Sequence, residues 1–274
     1  MTTAADRWRE ELAAWAIPQE LLDAVTDSPY AWPPQPWRRA PEPQEDEPTT
    51  RRIGALLGET GSLLDVGAGT GRISLPFAAR GHRVTAVEKD QGMAEALRAA
   101  AQGVARLSIV EQAWPDAAAR AGMHDVVVSA HVVYDVAEIT PFIVGLHRAA
   151  GRGVVLEVTR RHPWAPLAPL FRALHGLGRP QGPTVGDLIE VIREAVAVNP
   201  SVEQWAGTGA LLFGDREELL AFYQRRLVLP AARRRRLEEL LAPLIVEEDG
   251  WVRLDLGAPE VVTLWWGTQG GPYE

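Results

Sequence analysis

Between about residue 62 and residue 158 the chain alternates between short apolar runs and amphipathic segments. Apolar runs of strand length occur at 62–66, 83–88, 106–110, 125–130 and 154–158. The segments between them predict helices at 72–79, 90–101 and 140–150. Because strands and helices alternate with short connections, the pattern predicts an α/β fold with a parallel, doubly wound sheet.

The N-terminal region follows a helical pattern instead. Trp8, Leu12 and Trp15 recur at helical spacing, which predicts an amphipathic helix over 5–16, and a second helix is predicted at 18–25.

A proline-rich stretch separates these helices from the first strand. Residues 29–48 contain seven prolines, interspersed with Tyr30, Trp32 and Trp37. This composition predicts an extended linker rather than a helix or strand. Its aromatic side chains either wall a pocket or pack the N-terminal helices onto the core. We therefore expect residues 1–48 to form a helical cap and a Pro/Trp-rich linker.

The rest of the chain, 49–274, is expected to form the main domain, with insertions near 160–183 and 207–250. Apolar runs at 202–205 and 261–266 are candidate last strands. The first insertion is irregular and proline-rich, which is typical of segments that select a substrate. The second is predicted to be mostly helical. Two roles remain open for it, formation of a homodimer and covering of a pocket.

A glycine-rich turn directly follows the first predicted strand. The run from Asp65 to Gly71 reads Asp-Val-Gly-Ala-Gly-Thr-Gly. Its three glycines permit positive φ in a tight turn and let a ligand approach the backbone. Glu88 ends the next strand, where an acid can accept hydrogen bonds from ribose hydroxyls. The sequence therefore predicts a nucleotide-like ligand across the carboxyl ends of these strands.

The spacing of the glycines separates two classes of ligand. A dinucleotide-binding turn has the form G-x-G-x-x-G and places a pyrophosphate at a helix N-terminus. Here the glycines alternate at 67, 69 and 71, and Asp65 would lie unfavourably beside a pyrophosphate. A ligand with an ammonium group and a sulfonium group suits that carboxylate better.

This motif resembles the first motif of the class I S-adenosylmethionine-dependent methyltransferases. The resemblance extends motif by motif over residues 52–159. It implies a Rossmann-like, seven-stranded, mostly parallel sheet whose last strand is antiparallel, with the helical cap and helical insertions added to it. It also implies S-adenosyl-L-methionine as cofactor, with Glu88 as the ribose acid and Met93 as the apolar residue that covers the adenine.

The expected cofactor-binding residues come from the motif and the ends of the neighbouring strands. They are Asp65, Gly67, Ala68, Gly69, Gly71, Glu88, Lys89, Met93, Gln112, Ala113, Trp114 and Ser129. The chain departs from the family where many members have an acid after the third strand to bind the adenine amino group. Gln112 and Trp114 occur there instead, and Trp114 is a candidate for stacking on the ring.

Three residues after the strands are the candidate catalytic groups: His131, Tyr134 and His162. Methyl transfer is an in-line displacement at an activated carbon, so the protein supplies alignment and in some cases a base. His131 either accepts a proton from the acceptor or pins its loop by a hydrogen bond. Glu157 is a further candidate, as are Arg160 and Arg161 for an anionic acceptor. No set of metal ligands is expected.

Composition narrows the range of functions. The 274 residues carry a net charge of −8 and contain no cysteine. The absence of a thiol excludes the thiolate attack usually needed to methylate C5 of a pyrimidine. Net acidity argues against a nucleic-acid partner, and four consecutive arginines at 233–236 are dispersed if they lie on a helix. We expect no membrane span and no signal peptide, and hence a cytoplasmic protein.

These observations predict a methyltransferase that acts on an oxygen or nitrogen atom of a small molecule. Two alternatives remain open, an RNA methyltransferase and a non-catalytic module that binds S-adenosylmethionine. The identity of the acceptor, the use of a general base and the oligomeric state do not follow from the sequence.

Overall fold

The structure is a computed structural model that describes residues 2–29, 45–207 and 211–268. Most of the predicted proline-rich linker lies outside the described residues, together with Tyr30, Trp32 and Trp37. Across the described ranges, no helix is long and apolar enough to cross a bilayer.

Seven strands form one mixed sheet, and two further strands form a separate hairpin. The nine strands are β1 (Ser62–Val66), β2 (Arg83–Glu88), β3 (Leu107–Glu111), β4 (His124–Ala130), β5 (Ala150–Thr159), β6 (Ser201–Ala206), β7 (Ile245–Glu248), β8 (Trp251–Leu254) and β9 (Glu260–Gly267). The sheet order is β3-β2-β1-β4-β5-β9-β6, and β9 runs antiparallel to both of its neighbours. The predicted fold class is therefore confirmed, including the antiparallel last strand.

Helices cover both faces of the sheet. They are α1 (Ala4–Ala13), α2 (Gln19–Asp23), α3 (Pro48–Leu57), α4 (Ser74–Ala79), α5 (Gln91–Ala100), α6 (Ala118–Ala121), α7 (Ile139–Ala149), α8 (Ala168–His175), α9 (Val185–Val196), α10 (Arg216–Arg226) and α11 (Arg234–Leu241). One face carries α1, α7 and α9, with Trp8, Phe142 and Ile192 buried between them. The other carries α3 and α4, with Ile53 and Phe77 packed on the sheet.

Helix α3 was not predicted from the sequence. It begins at Pro48, which suits the first turn because proline has no N–H to leave unpaired there. Ile53 and Leu57 are fully buried and point toward the sheet, one turn apart. Only these two strongly apolar positions mark its buried face, which is too short a pattern to identify a helix from the sequence alone.

The two insertions share a second hydrophobic core, which we call the lobe (residues 164–175 and 211–256). Its buried side chains include Leu174 from the first insertion and Phe213, Phe222, Leu237 and Leu254 from the second. The second insertion contains the expected helices, α10 and α11, and also the hairpin of β7 and β8, which was not predicted. The hairpin turns at Asp249-Gly250, both with positive φ, which is a strong hairpin signal that the sequence did contain.

The chain enters and leaves the lobe at the carboxyl edge of the sheet. The first insertion follows the end of β5, and the second follows the end of β6, which is parallel to β5 because both pair antiparallel with β9. The second insertion ends where β9 begins, at the same edge. In open α/β sheets ligands bind beyond this edge, so the lobe adjoins the expected binding region.

Candidate active site at the carboxyl edge

The three glycines of the turn after β1 have different surroundings. All have positive φ, with values of 77°, 56° and 98° at Gly67, Gly69 and Gly71. A Cβ added at Gly67 would lie 2.2 Å from a methyl of Val132, and one at Gly71 would lie 2.5 Å from a methyl of Leu97. At Gly69 nothing lies within 4 Å of the added Cβ. Packing therefore requires glycine at 67 and 71, whereas Gly69 faces open space that a ligand can enter.

Glu88 is fixed beside Gly69 by the main chain. The Gly69 N–H donates to Oε2 and the Asp90 N–H donates to Oε1, each at 2.8 Å. A carboxylate oxygen can accept more than one hydrogen bond, so both oxygens keep acceptor capacity for ribose hydroxyls. Glu88 therefore lies where the sequence analysis expected an acid, next to the open side of the turn.

Asp65 lies beneath the turn and is almost completely buried. The Ser74 hydroxyl donates a hydrogen bond of 2.5 Å to its Oδ2. Burial raises the pKa of Asp65 to about 6, although Ser74 and Arg72 oppose that rise. The carboxylate is thus held at an energetic cost that a nearby ligand cation would relieve.

The other predicted cofactor residues surround this turn. Ala68 is buried and its N–H donates to the Val87 carbonyl, as does that of Gly67. Met93 is buried in the first turn of α5. The Ser129 hydroxyl donates to the Val66 carbonyl at 2.9 Å.

Two of the predicted residues link the carboxyl ends of different strands. Lys89, after β2, forms an ion pair of 2.7 Å with Asp135, after β4, so the pair crosses above the end of β1. The Gln112 N–H donates to the Glu88 carbonyl at 3.1 Å, which ties Gln112 and the following Ala113 to the end of β2.

The Trp114 ring, the candidate for stacking on the adenine, packs on helix α7. Its indole N–H donates to the Phe142 carbonyl of α7 at 3.2 Å. A Cβ added at Gly145 of α7 would lie 3.0 Å from the same indole nitrogen, so the ring packs closely on that helix.

His131 follows β4 and is held twice by one residue of β5. Its main-chain N–H donates to the Glu157 carbonyl at 2.8 Å, and its Nε2 lies 3.0 Å from Oε1 of the Glu157 carboxylate. The His131 backbone has φ of 59°, a conformation that residues other than glycine rarely adopt. Such strained positions cluster at functional sites.

Glu157 is fully buried and shared by two basic residues. Its Oε1 also accepts a hydrogen bond from Arg72, which directly follows the glycine turn. Burial alone would raise the pKa of Glu157, but Arg72, His131 and Thr49 of α3 lower it to about 2. Glu157 is therefore a carboxylate near neutral pH. Arg72 was not predicted as a site residue, because no sequence pattern indicates that it pairs with a residue 85 positions later.

Comparison with known proteins agrees with this geometry. A family model described as a methyltransferase domain matches residues 64–156. The chain therefore contains a methyltransferase domain.

Solved structures share the fold at low sequence identity. A provisionally assigned methyltransferase of Bacillus halodurans is 14% identical, over 80% of this chain and 96% of that chain, with a TM-score of 0.51. The YcgJ protein of Bacillus subtilis is 13% identical, over 81% and 97%, with a TM-score of 0.50. The magnesium protoporphyrin IX methyltransferase of Synechocystis, solved with bound S-adenosylhomocysteine, is 16% identical over 78% and 77%, with a TM-score of 0.47. No curated protein matches the chain.

The methyltransferase domain fits its cofactor at three points. Gly69 leaves open space beside the main chain, and Glu88 is fixed next to that space. Asp65 is a buried side chain near the end of β1, beneath the same turn. These are groups that match a nucleoside ribose and a cationic amino-acid tail.

The other candidate catalytic residues are Tyr134, which is half-buried, and His162, which is buried, and both side chains form hydrogen bonds. The Tyr134 hydroxyl accepts from the Thr159 main-chain N–H and lies 2.8 Å from the Thr159 hydroxyl. Burial raises its pKa well above the usual value. The His162 ring stacks on Trp15 at 3.9 Å between centroids, and its Nδ1 accepts from the Trp164 N–H. Burial and Arg179 lower the pKa of His162 to about 4.

The N-terminal cap reaches this side of the methyltransferase domain. The Trp8 indole donates to the Val136 carbonyl at 2.9 Å, and Arg9 pairs with Glu138. Trp15 donates to the carbonyl of Gly182. The cap therefore packs on the segment after β4 and on the first insertion, a role of the N-terminal tryptophans that their helical spacing did not reveal.

The two arginines proposed to bind an anionic acceptor already contact other side chains on the surface. Arg160 pairs with Glu260 at 3.2 Å, and Arg161 donates to the Gln181 side chain at 3.3 Å. Both are exposed, so these contacts are weak.

Proposed function

We propose that this methyltransferase domain transfers a methyl group to an oxygen or nitrogen atom of a small-molecule acceptor. The observation that carries the proposal is the lobe, because two separate insertions build one hydrophobic core at the edge where the acceptor must approach. A lobe beside that edge favours a small molecule over a polymer, because small-molecule sites are concave. The N-terminal cap, which packs on the segment after β4, adds a second wall.

Our proposed cofactor residues are those expected from the sequence, except that Trp114 no longer stacks on the adenine. We assign the ribose to Glu88 and the main-chain approach to Gly69, and we place Asp65 near the cationic tail. Because the Trp114 ring is packed on α7, Gln112 and Ala113 carry the adenine side in our proposal. When bound, S-adenosylmethionine supplies a methyl group made electrophilic by the positively charged sulfur.

Among the candidate catalytic residues, we favour His131 as the base. Its side chain is partly exposed at the carboxyl edge, whereas His162 is buried and both His162 and the half-buried Tyr134 are already hydrogen-bonded. The loss of ordinary basicity at His162, whose pKa is about 4, also argues against its use as a base near neutral pH.

An RNA acceptor is the second candidate, and the arginine run is the feature that would favour it. Three of these arginines lie on α11 and pair with acids instead of forming one basic surface, and Arg233 donates to the Leu174 carbonyl. Arg234 contacts Glu217 and Glu238, and both Arg235 and Arg236 contact Glu239. With a net charge of −8, this arrangement favours the small-molecule acceptor.

Calorimetry with S-adenosylhomocysteine tests the cofactor assignment. We expect the wild-type chain to bind it and Glu88→Ala to bind at least about tenfold more weakly, which corresponds to ~1.4 kcal/mol. Glu95→Ala is a matched control, because Glu95 lies on the surface of α5 and contacts only Gln91. If the wild-type chain does not bind the product, or if Glu88→Ala binds equally well, the cofactor assignment is wrong.

A structure with bound S-adenosylhomocysteine tests the class of acceptor. We expect the space beyond its sulfur to be enclosed by the lobe and the cap, near His131. A flat and basic rim would favour RNA, and a closed space without access for an acceptor would favour a non-catalytic module.

The cytoplasm and a homodimer remain predictions. Cell fractionation tests the first. Sedimentation tests the second, and the lobe is the surface that we expect a dimer to use.

A further inference from the structure

The group formed by Arg72, His131 and Glu157 carries a further inference, which rests on the proposed function. We propose that Glu157 is a positioning residue that fixes His131 in the tautomer with hydrogen on Nε2, and that Arg72 balances the Glu157 charge so that Nδ1 is free to accept the acceptor's proton.

The tautomer follows from the geometry of the hydrogen bond. A carboxylate can only accept, so a neutral imidazole with Nε2 at 3.0 Å from Oε1 must carry its hydrogen on Nε2. The lone pair is then on Nδ1. Within the described residues, Nδ1 of His131 has no hydrogen-bond partner, and the side chain is 37% exposed. The free nitrogen is therefore the one available to an acceptor.

The orientation is fixed by two contacts to the same residue. The main-chain N–H of His131 donates to the Glu157 carbonyl while the ring contacts the Glu157 carboxylate. These contacts hold His131 in its left-handed backbone conformation at φ of 59°. A residue kept in a costly conformation by its surroundings is a preorganised one.

Arg72 decides the charge of the group. A buried carboxylate with histidine as its only partner would favour the imidazolium, which cannot act as a base. Arg72 supplies a positive charge next to the Glu157 carboxylate, so a positive charge on the His131 ring is not needed to balance it. The other ionisable groups electrostatically linked to this group are Tyr134, which faces Glu157, and Asp65, which faces Arg72.

The proposal defines the chemical class of the acceptor. A base is needed only where the attacking atom carries a proton, as a hydroxyl or an amine does. As the new bond from oxygen or nitrogen to the methyl carbon forms, the carbon–sulfur bond breaks and its electron pair stays on sulfur. The proton that the acceptor loses moves to Nδ1 of His131. A carboxylate acceptor, which has no proton to lose, does not require this arrangement.

The test uses the full chain labelled with ¹⁵N-histidine and needs no acceptor. At a pH where imidazoles are neutral, ¹⁵N shifts distinguish the two tautomers. We expect wild-type His131 to show the Nε2–H tautomer and Glu157→Ala to show a mixture of both. His147 is an internal control, because the Trp266 indole donates to its Nδ1 and keeps it in the Nε2–H form in every variant.

A second variant tests the role of Arg72 even if Glu157→Ala does not fold. At one fixed pH, we expect Arg72→Gln to raise the ratio of imidazolium to imidazole at His131 by about tenfold. Arg80→Gln, at the other end of α4, is the matched control and should leave the ratio unchanged. An Nδ1–H tautomer in the wild-type chain, unchanged shifts in Glu157→Ala or an unchanged ratio in Arg72→Gln overturns the proposal.

The failure of this inference differs from the failure of the proposed function. The tautomer is measured without cofactor, whereas the cofactor assignment depends on binding of S-adenosylhomocysteine. If the chain binds S-adenosylhomocysteine normally but His131 shows a mixture of both tautomers, only the inference is overturned. Absent binding with a fixed tautomer overturns the cofactor assignment and leaves the geometry of His131 standing.

Discussion

The two halves of the carboxyl edge are built in different ways. The cofactor half, centred on the ends of β1 and β2, lies mostly within residues 64–93 and presents mainly main-chain groups and glycines, with Gln112 and Ala113 added from the end of β3. The acceptor half, at the ends of β4 and β5, is assembled from side chains of distant segments, among them Arg72, Glu157 and Trp15. A site made of backbone leaves a local motif in the sequence, and a site made of distant side chains does not.

Substitution of two buried phenylalanines should have the largest effect on stability and tests whether the two halves are separate. Phe213 is fully buried in the lobe, against the rings of Phe222 and Tyr223, and Phe77 is buried against the sheet beneath the glycine turn. We expect each substitution by alanine to cost about 3–5 kcal/mol of unfolding free energy. Phe213→Ala should leave S-adenosylhomocysteine binding intact, whereas Phe77→Ala should weaken it.

Hydrogen exchange and calorimetry measure these two effects. Loss of protection should be confined to α10, α11 and the β7–β8 hairpin in Phe213→Ala, and should reach α4 and β1 in Phe77→Ala. If Phe213→Ala weakens cofactor binding as much as Phe77→Ala does, the two halves are not separate.

The glycines of the turn sharpen the comparison, because Gly67 touches the acceptor half and Gly69 does not. We expect Gly67→Ala to cost about 2–4 kcal/mol, since its methyl would overlap Val132 and its φ is 77°. Gly69→Ala has room for its methyl, so its cost should be about 1 kcal/mol, from positive φ alone. It should nevertheless weaken S-adenosylhomocysteine binding, because the methyl enters the ligand space.

Gly103→Ala is the matched control for the glycine variants. Gly103 has φ of 86° and open surroundings, and it lies in the turn before β3. It should show the stability cost of Gly69→Ala, in urea titrations, with unchanged affinity. Equal affinity in the Gly69 and Gly103 variants would show that Gly69 does not face the ligand.

His162 makes the acceptor half sensitive to acid. Burial and Arg179 lower its folded pKa from 6.5 to about 4, so the unfolded chain binds a proton that the folded chain does not over this interval. The free energy of unfolding should therefore fall as pH decreases from 6.5 to 4, by up to about 3 kcal/mol from this group.

His162→Phe isolates that contribution, because the new ring can still stack on Trp15. The other histidines titrate equally in both proteins and cancel from the difference. Between pH 7 and pH 4 the urea midpoint of the wild type should fall more steeply than that of the variant. Parallel curves would show that His162 is protonated equally in the folded and unfolded chains.

Much of the fold could be read from the sequence, for a physical reason. The strands of a parallel sheet are buried on both faces and appear as separate apolar runs, and the glycine turn needs a local pattern of residues. Helix α3 and the lobe could not be read in this way. Two apolar positions in α3 do not define a period, and the core of the lobe joins Leu174 to Phe213 and Leu254 across long separations.

The same reasoning explains which contacts between site residues could be predicted from the sequence and which could not. Glu88 and Gly69 are adjacent in space because β1 and β2 are adjacent, which a strand-turn-helix pattern already implies. The contact between His131 and Glu157 requires the register of β4 against β5, where Ala130 is opposite Glu157. The pairing of Arg72 requires a side-chain conformation, which no spacing rule supplies.

Asp65 shows how much stability the cofactor half loses by keeping a buried charge for its ligand. Burial raises its folded pKa to about 6 from a usual value of 3.8, so the folded chain is destabilised as pH rises through this interval. Asp65→Asn removes that cost, and Ser74 can still donate to the amide oxygen. At pH 7 we expect the variant to be more stable by up to about 3 kcal/mol, with no gain below pH 3.8.

The gain in stability should come with a loss of cofactor affinity, since the amide lacks the charge that attracts the cationic tail. Thermal melts at two pH values and calorimetry with S-adenosylmethionine measure both changes. Asp116→Asn, at an exposed position after β3, should change neither. If Asp65→Asn is more stable and binds S-adenosylmethionine as well as the wild type, the buried charge of Asp65 does not serve cofactor binding. The destabilising carboxylate would then have to serve another purpose.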